Sequence, residues 1–110
     1  MDTDLQSITE YFNSAISCQK NGDLETAGAL YRQILVIEPN HSPSISNLAS
    51  IFKHLGKYDL AIQLFRKLVH LDPKNSHAFN AMGGIYLERG NEQRAIDHYR
   101  QAIRVDPSCV

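Results

Sequence analysis

Histidine is the side chain in this sequence best suited to acid–base or metal chemistry, and the chain has five. A metal site needs several ligands brought to one face of the fold, and no histidine here pairs with another His or Cys at such a spacing. His77 and Glu88 are an unpromising acid–base pair, because three helical turns would separate them. We therefore expect no catalytic residue and no metal site, and we expect the histidines to be ordinary surface residues. They are His41, His54, His70, His77 and His98.

The other reactive side chains give no stronger sign of catalysis. Cys18 falls in an apolar helical pattern and Cys109 lies at the tail; two cysteines are too few for a disulfide framework. We expect both to be reduced in a cytoplasmic setting. No serine has the sequence context of a nucleophile elbow, and the glycines form no phosphate-binding loop. The sequence thus predicts a protein that is not an enzyme and that needs no cofactor.

A repeat of fixed length organises the whole chain. Glycine, alanine, an aromatic residue and proline return together three times, each time shifted by 34 residues. A period of this size is typical of a stacked repeat architecture, in which each unit buries its apolar face against its neighbours. The recurring residues are Gly22, Ala27, Tyr31 and Pro39, then Gly56, Ala61, Phe65 and Pro73, then Gly90, Ala95, Tyr99 and Pro107.

Each repeat contains two apolar patterns at helical spacing, separated by turn signals. Gly22 is expected to end the first helix, because glycine tolerates the left-handed cap conformation, and Asp23 is expected to cap the next. Pro39 stops that second helix, and Ser42 is predicted to cap the helix that follows. No segment alternates like a strand. The sequence predicts an all-α solenoid of three antiparallel helix pairs that forms one domain over residues 1–110.

Composition and charge narrow the classes of partner. The 110 residues carry a net charge of −1, which argues against a general nucleic-acid or membrane-surface role. No apolar run is long enough to cross a bilayer, and the acidic start is unlike a secretory signal. Residues 1–41 are acidic, whereas residues 42–75 are basic. This asymmetry could steer a partner or align a second copy of the chain, but solvated helix faces are the favoured explanation.

These residues make the chain resemble the tetratricopeptide repeat family, over repeats at approximately 8–41, 42–75 and 76–109. The resemblance implies a right-handed superhelix whose concave groove is lined by the first helix of each pair. It also implies a role in binding a peptide or a protein segment. The chain departs from the family in having no tryptophan, and Ser14 stands where Leu48 and Met82 stand in later units.

The geometry of the family points to a set of groove contacts. Asn13 and Asn47 occupy equivalent positions, and an amide can pair with a peptide backbone of any sequence. This is similar to the asparagine ladder of O-linked N-acetylglucosamine transferases, but Ala81 takes the third rung. The alternative is that these asparagines are simply solvated. The predicted contacts are Asn13, Asn47, Lys53, His54, His77 and Asn80.

A second binding mode of the family, the clamp for acidic C-terminal tails of heat-shock chaperones, fits less well. Asn47 matches one clamp residue, but the other polar and basic members are missing. Lys20, Lys53 and His54 could still attract an acidic ligand. We expect no true clamp. The positions that depart from the clamp pattern are Phe12, Ile16, Ser46 and Ala81.

The last predicted helix carries apolar residues that a following helix would normally cover. Exposed apolar patches of this kind mark interfaces. Ile96, Tyr99 and Ile103 therefore predict either a homo-oligomer formed through this helix or continuation into a longer array. Such an array could be the N-terminal recruiting arm of a larger transferase-type enzyme. A monomer that tolerates the exposed residues is the remaining alternative.

Overall fold

The computed structural model describes residues 2–108 of the chain, so the expectation for Cys109 lies outside the described residues. Within this range the chain forms helices joined by short turns, and no strand is present between residues 2 and 108. The predicted all-α fold is confirmed. The helices are α1 (Asp2–Lys20), α2 (Leu24–Ile37), α3 (Ser42–His54), α4 (Tyr58–Leu71), α5 (Ser76–Glu88) and α6 (Glu92–Val105).

The turn inside each pair follows the glycine signal of the sequence. Gly22, Gly56 and Gly90 have φ angles of 83°, 76° and 77°, a left-handed conformation that side chains with a Cβ rarely adopt. The next helix can therefore begin almost at once. In the first turn, the Asp23 carboxylate accepts a hydrogen bond from the Thr26 N–H and caps α2, as predicted.

The prediction that Ser42 caps α3 was wrong by one residue. His41 is the cap, because its Nδ1 accepts from the Ser44 N–H at 3.3 Å and lies 2.7 Å from the Ser44 hydroxyl. Ser42 is instead the first residue of the helix. The expectation that every histidine is an ordinary surface residue was therefore wrong for His41, and also for His98, since both are half-buried.

Small residues allow the two helices of each pair to lie close together. Ala15, Ala49 and Gly83 recur on the first helices and are fully buried, and so are their partners on the second helices. Close approach of this kind lets side-chain ridges of one helix fit the grooves of the other. The partners on the second helices are Ala27, Ala61 and Ala95.

Large aromatic rings fill the two contacts between successive pairs. We call the contact between α2 and α3 the first junction, and the contact between α4 and α5 the second junction. Tyr31 and Phe65 are fully buried there, and Phe52 and Tyr86 are almost so. Burial of an aromatic ring is worth a few kcal/mol, so these rings stabilise the stack through neighbouring pairs.

The three pairs stack into a right-handed α–α superhelix, as the sequence predicts. The molecule measures 45 × 26 × 22 Å, and its radius of gyration is 14.7 Å. A spherical domain of this length would have a radius of gyration of about 13 Å, so the shape is elongated. None of the helices between residues 2 and 108 has the combination of length and apolar character that crossing a membrane demands.

Candidate peptide-binding groove

Several cavities lie along the contact between α1 and α3, which are the first helices of the first two pairs. We call the face formed by α1, α3 and α5 the groove. Three cavities occupy its first half, with volumes of about 310, 310 and 420 Å³ from the start of α1 to its end. Asn13 lines the first, Asn47 the second and His54 the third. The first half of the groove therefore contains three of the six predicted contacts.

The Tyr31 hydroxyl joins α1 to α3 at the middle cavity. It donates a hydrogen bond to Gln19 Oε1 at 2.8 Å and accepts one from Asn47 Nδ2 at 3.1 Å. Burial raises the pKa of this hydroxyl above its usual value, while the hydrogen bond from Asn47 partly opposes that rise. The hydroxyl therefore stays protonated and holds both amides in place at neutral pH.

This bridge uses only part of the hydrogen-bonding capacity of Asn47. An asparagine amide has two N–H donors and one acceptor oxygen, and Tyr31 takes one donor. The oxygen and the second N–H have no partner among residues 2–108. Asn47 is half-buried and borders the cavity beside Ile16 and Lys20. Its amide is thus oriented in advance and can still pair with a ligand.

Asn13 lies in a more apolar setting. Its cavity is bordered by Leu5, Phe12 and Pro43. The Phe12 ring packs edge-on against His41, with ring centroids 5.6 Å apart, and against Tyr31 at 5.9 Å. These contacts fix the floor of the cavity. An apolar side chain beside a polar backbone is the kind of group that fits here.

Lys53 and His54 lie at the end of α3, but they face different surroundings. His54 is exposed and borders the cavity that also contains Gln19 and Ser50. Lys53 is half-buried, with its ammonium 3.4 Å from the position that a Cβ on Gly84 would occupy. The glycine therefore leaves room for the lysine between α3 and α5.

The third unit contributes less to a continuous site. His77 is exposed and packs edge-on against Phe65, with ring centroids 6.3 Å apart. Asn80 is exposed on α5, whereas Ala81, at the third rung of the asparagine ladder, is buried. Asn13, Asn47 and His54 are thus gathered along the first half of the groove, and His77 and Asn80 stand apart from them.

Two polar groups of the candidate site were missed by reasoning from sequence. The Tyr31 hydroxyl was treated only as part of a packing aromatic, although the replacement of Tyr31 by Phe65 one repeat later was a usable signal. Gln19 was not among the predicted contacts. Its role depends on a contact between α1 and α2 that only the structure shows.

Helix α6 presents an open face at the far end of the stack. Ile96 is 43% exposed and Ile103 is 47% exposed, whereas Ile62, equivalent to Ile96, is buried against the next pair. Tyr99 is half-buried, because its ring packs so closely against Gly83 that a Cβ there would lie 2.8 Å from it. The exposed part of this face therefore consists chiefly of the two isoleucines.

Comparison with solved structures identifies the same architecture. The structure superimposes on MamA with a TM-score of 0.86 at 15% identity, over 91% of this chain and 58% of that chain. The first TPR of Spaghetti (RPAP3), solved with an HSP90 peptide bound, gives a TM-score of 0.85 at 18% identity, over 94% and 82%. At these identities the likeness establishes the fold.

A third solved structure is an O-GlcNAc transferase mutant from Thermobaculum terrenum. It matches with a TM-score of 0.86 at 25% identity, over 99% of this chain and 21% of that chain. The chain thus spans about a fifth of the transferase and just over half of MamA. No curated protein matches the sequence.

The family model of the tetratricopeptide repeat matches residues 41–108. This range covers α3 to α6, and the α1–α2 pair before it has the same turn glycine and the same buried aromatic. Proteins of this kind are generally interaction modules without catalytic activity. The chain belongs to the tetratricopeptide repeat family.

Proposed function

We propose that this protein is a non-enzymatic scaffold that binds an extended segment of a partner protein in the first half of the groove. The observation that carries the proposal is the orientation of the Asn47 amide by the Tyr31 hydroxyl. A group that pairs with peptide backbone and is already fixed loses little conformational entropy on binding. The bound state is therefore favoured without a strongly charged site.

The cavities on either side of Asn47 supply the remaining contacts. The apolar cavity beside Asn13 suits an aliphatic or aromatic side chain, and the cavity beside His54 and Gln19 suits a polar one. Successive helices lie roughly 8–10 Å apart, close to the span of three extended residues. We infer that a segment of about six residues reaches from the Asn13 cavity to His54.

The fold of the Spaghetti (RPAP3) domain, solved with an HSP90 peptide, supports peptide binding by this architecture. Its ligand is not carried over, because the sequence here lacks most of the clamp pattern for acidic tails. Lys20 and Lys53 give the groove a modest attraction for acidic side chains, without the paired cations of a clamp.

The test begins with selection of peptides on the full chain from a library of random twelve-residue sequences. Affinity of a selected peptide is then measured by fluorescence anisotropy on the wild type, Asn47→Ala and Tyr31→Phe. Tyr31→Phe keeps the Asn47 amide but removes the hydrogen bond that orients it, so it should weaken binding less than Asn47→Ala does. We expect Asn47→Ala to weaken binding about tenfold or more, as expected for loss of backbone hydrogen bonds. Equal affinity for the wild type and Asn47→Ala would refute the proposal.

A second candidate function is self-association through α6, which the exposure of Ile96 and Ile103 favours. The expected occupant is a second copy of the chain, packed on α6 as α3 packs on α2. The alternative is that this face contacts a further helix of a longer array, in which the chain serves as the N-terminal recruiting arm of a larger transferase-type enzyme. The match over 21% of the Thermobaculum terrenum enzyme supports that alternative.

Light scattering over a concentration series separates these roles. Ile103→Glu should shift an oligomer to monomer, because a charge in the apolar contact must lose its hydration. Val36→Glu is the control, since Val36 is 78% exposed on α2 and carries the same substitution outside the contact. Tyr99 is unsuitable for the test, because its contact with Gly83 makes it part of the fold. A wild-type chain that stays monomeric at all concentrations would exclude self-association.

A further inference from the structure

A cavity larger than any of the three in the groove lies on the side of the second helices. It has a volume of about 560 Å³ and lies between α4, the end of α5 and the start of α6. We call it the arginine cleft, because three arginines border it: Arg66 on α4, Arg89 in the turn that follows α5, and Arg94 on α6. The residues that matter are Arg66, Arg89, Arg94, Tyr86, Asp59 and Asn91.

Tyr86 holds two of these arginines in place. The Arg66 guanidinium donates a hydrogen bond to the Tyr86 hydroxyl at 3.2 Å, and the Arg94 guanidinium lies over the Tyr86 ring, 5.6 Å from its centroid. The ring itself is buried and also contacts His98. Both arginines are exposed, so an anion can reach them, and their contacts with Tyr86 favour orientations toward the cleft.

The charge of the cleft is not balanced from within. Arg89 pairs with Asp59 at 2.7 Å, and Asp59 is the one carboxylate among the residues that border the cavity. Both partners of this pair are substantially exposed, so the pair is weak and can exchange for another anion. Three arginines against one carboxylate leave an excess of two positive charges.

The first junction shows that an excess of two positive charges is not a consequence of the fold, because Arg32 and Lys57 border its cavity together with the carboxylate of Glu25 and leave an excess of one. The equivalent cavity there measures about 290 Å³, and Arg32 lies over Phe52 at 5.3 Å just as Arg94 and Arg66 contact Tyr86. Leu55 stands in the place of Arg89, and Leu60 in the place of Arg94. The second junction thus differs from the first in having two further arginines and a tyrosine hydroxyl.

From this arrangement we infer that the arginine cleft binds the phosphate group of a phosphorylated side chain on a partner protein. A phosphate dianion offers three acceptor oxygens, and guanidinium groups bind it with paired, charge-assisted hydrogen bonds. A carboxylate offers two oxygens and one charge, so it matches the three arginines less well. A nucleotide is disfavoured, because the ring of Tyr86 is covered and offers no surface for stacking a base.

This site is independent of the groove and of the proposal made for it. Arg66 and Arg94 belong to α4 and α6, whereas the groove is formed by α1, α3 and α5. A chain that fails to bind peptides through Asn47 can still bind phosphate in the cleft, and the reverse also holds. The variants that test the groove do not change the cleft, and those that test the cleft do not change the groove. Failure of one proposal can therefore be distinguished from failure of the other.

The test is an NMR titration of the full chain with N-acetyl-phosphoserine amide, followed through the backbone amides around Asn91 and the arginine side-chain signals. We expect a saturable response that weakens about tenfold or more in Arg66→Gln and in Arg94→Gln. Arg32→Gln is the matched control, since it removes the same charge and an equivalent contact with an aromatic ring. Its affinity should stay within about twofold of the wild type. Unphosphorylated N-acetyl-serine amide should produce no response.

Several outcomes would overturn the inference. Absence of a saturable response would do so, and so would an equal loss of affinity in Arg32→Gln, which would show unspecific attraction to positive charge. Inorganic phosphate that binds more tightly than a phosphoserine peptide would assign the cleft to a free anion. Sedimentation with phosphatidylserine vesicles that depends on Arg66 would assign it to a membrane surface.

A gain of binding provides a second, positive test. Leu55→Arg with Leu60→Arg introduces the two missing arginines at the first junction beside Arg32, at positions that are 45% and 42% exposed. Such exposed positions accept arginine with little effect on stability. We expect the double variant to bind a second phosphoserine amide, with shifts near Arg32. A stoichiometry that stays at one would contradict the role assigned to the arginines.

Discussion

The two junctions of this stack place their polar chemistry on opposite sides. At the first junction, the aromatic that faces the groove is Tyr31, and the one on the side of the second helices is Phe52. At the second junction the order is reversed, with Phe65 toward the groove and Tyr86 on the other side. All four rings are buried, so the fold is served equally by either residue.

The difference teaches which part of each aromatic residue serves the fold and which serves a site. The ring fills the junction, whereas the hydroxyl selects the polar groups that can gather beside it. At Tyr31 these are the amides of Gln19 and Asn47, and at Tyr86 they are arginines. The position of the tyrosine hydroxyl thus decides on which side of a junction polar groups gather.

Removal of a whole ring should have the largest effect on the free energy of unfolding. The effect should be the same for a ring that faces the groove and for one on the side of the second helices. Phe65→Ala and Phe52→Ala are each expected to lower the free energy of unfolding by about 3–5 kcal/mol, because each leaves a cavity in a junction. Tyr99→Ala should cost roughly half as much, since this ring is only half-buried. Urea unfolding followed by circular dichroism measures all three. Equal losses for Tyr99 and Phe65 would show that the end of the stack is packed as tightly as its interior.

Transfer of the groove bridge to the second junction should have an intermediate effect. Phe65→Tyr alone is expected to destabilise the fold by about 1–3 kcal/mol, because Ala81 and Lys53 offer the buried hydroxyl no matching amides. Ala81→Asn with Lys53→Gln supplies the equivalents of Asn47 and Gln19, and should restore about 0.5–1.5 kcal/mol. A double-mutant cycle in urea measures this coupling. Additive effects would mean that the bridge at the first junction contributes nothing beyond its separate parts.

The smallest expected effect concerns pH. The pKa of Tyr31 is raised in the folded state, so the folded state binds this proton more tightly than the unfolded chain does. The resulting stability is fully present below the pKa of an unfolded tyrosine, near pH 10, and is lost as pH rises through the folded value. Tyr31→Phe should therefore lose less stability than the wild type between about pH 9 and pH 11. Parallel pH profiles of the two proteins would contradict this role.

Much of the fold follows directly from the sequence. The recurring glycines, prolines and small residues predicted the helix pairs and their turns, because these depend on local backbone geometry and on spacing along one chain. The cap at His41 was missed, since serine is the commoner cap and the sequence offered Ser42 beside it. The ordinary preference was overridden by the contacts of His41 with Ser44 and Phe12.

The sites were less accessible to sequence reasoning. The position of Asn47 was predicted from its register, but its partner Tyr31 lies on another helix and was interpreted only as packing. The arginine cleft was missed altogether, because Arg66, Arg89 and Arg94 come from two helices and the turn between α5 and α6, and no linear motif joins them. A comparison of equivalent repeat positions would have revealed it, because Arg89 stands where the preceding repeat has Leu55.

The central claim is that a partner segment lies along the groove against Asn47. The most direct test is an NMR footprint of a library-selected peptide on the full wild-type chain, with shifts mapped onto all six helices. The account predicts that the largest shifts fall on α1 and α3, from Asn13 through Asn47 to His54. Shifts centred on α4 and α6, or on the exposed isoleucines of α6, would contradict it.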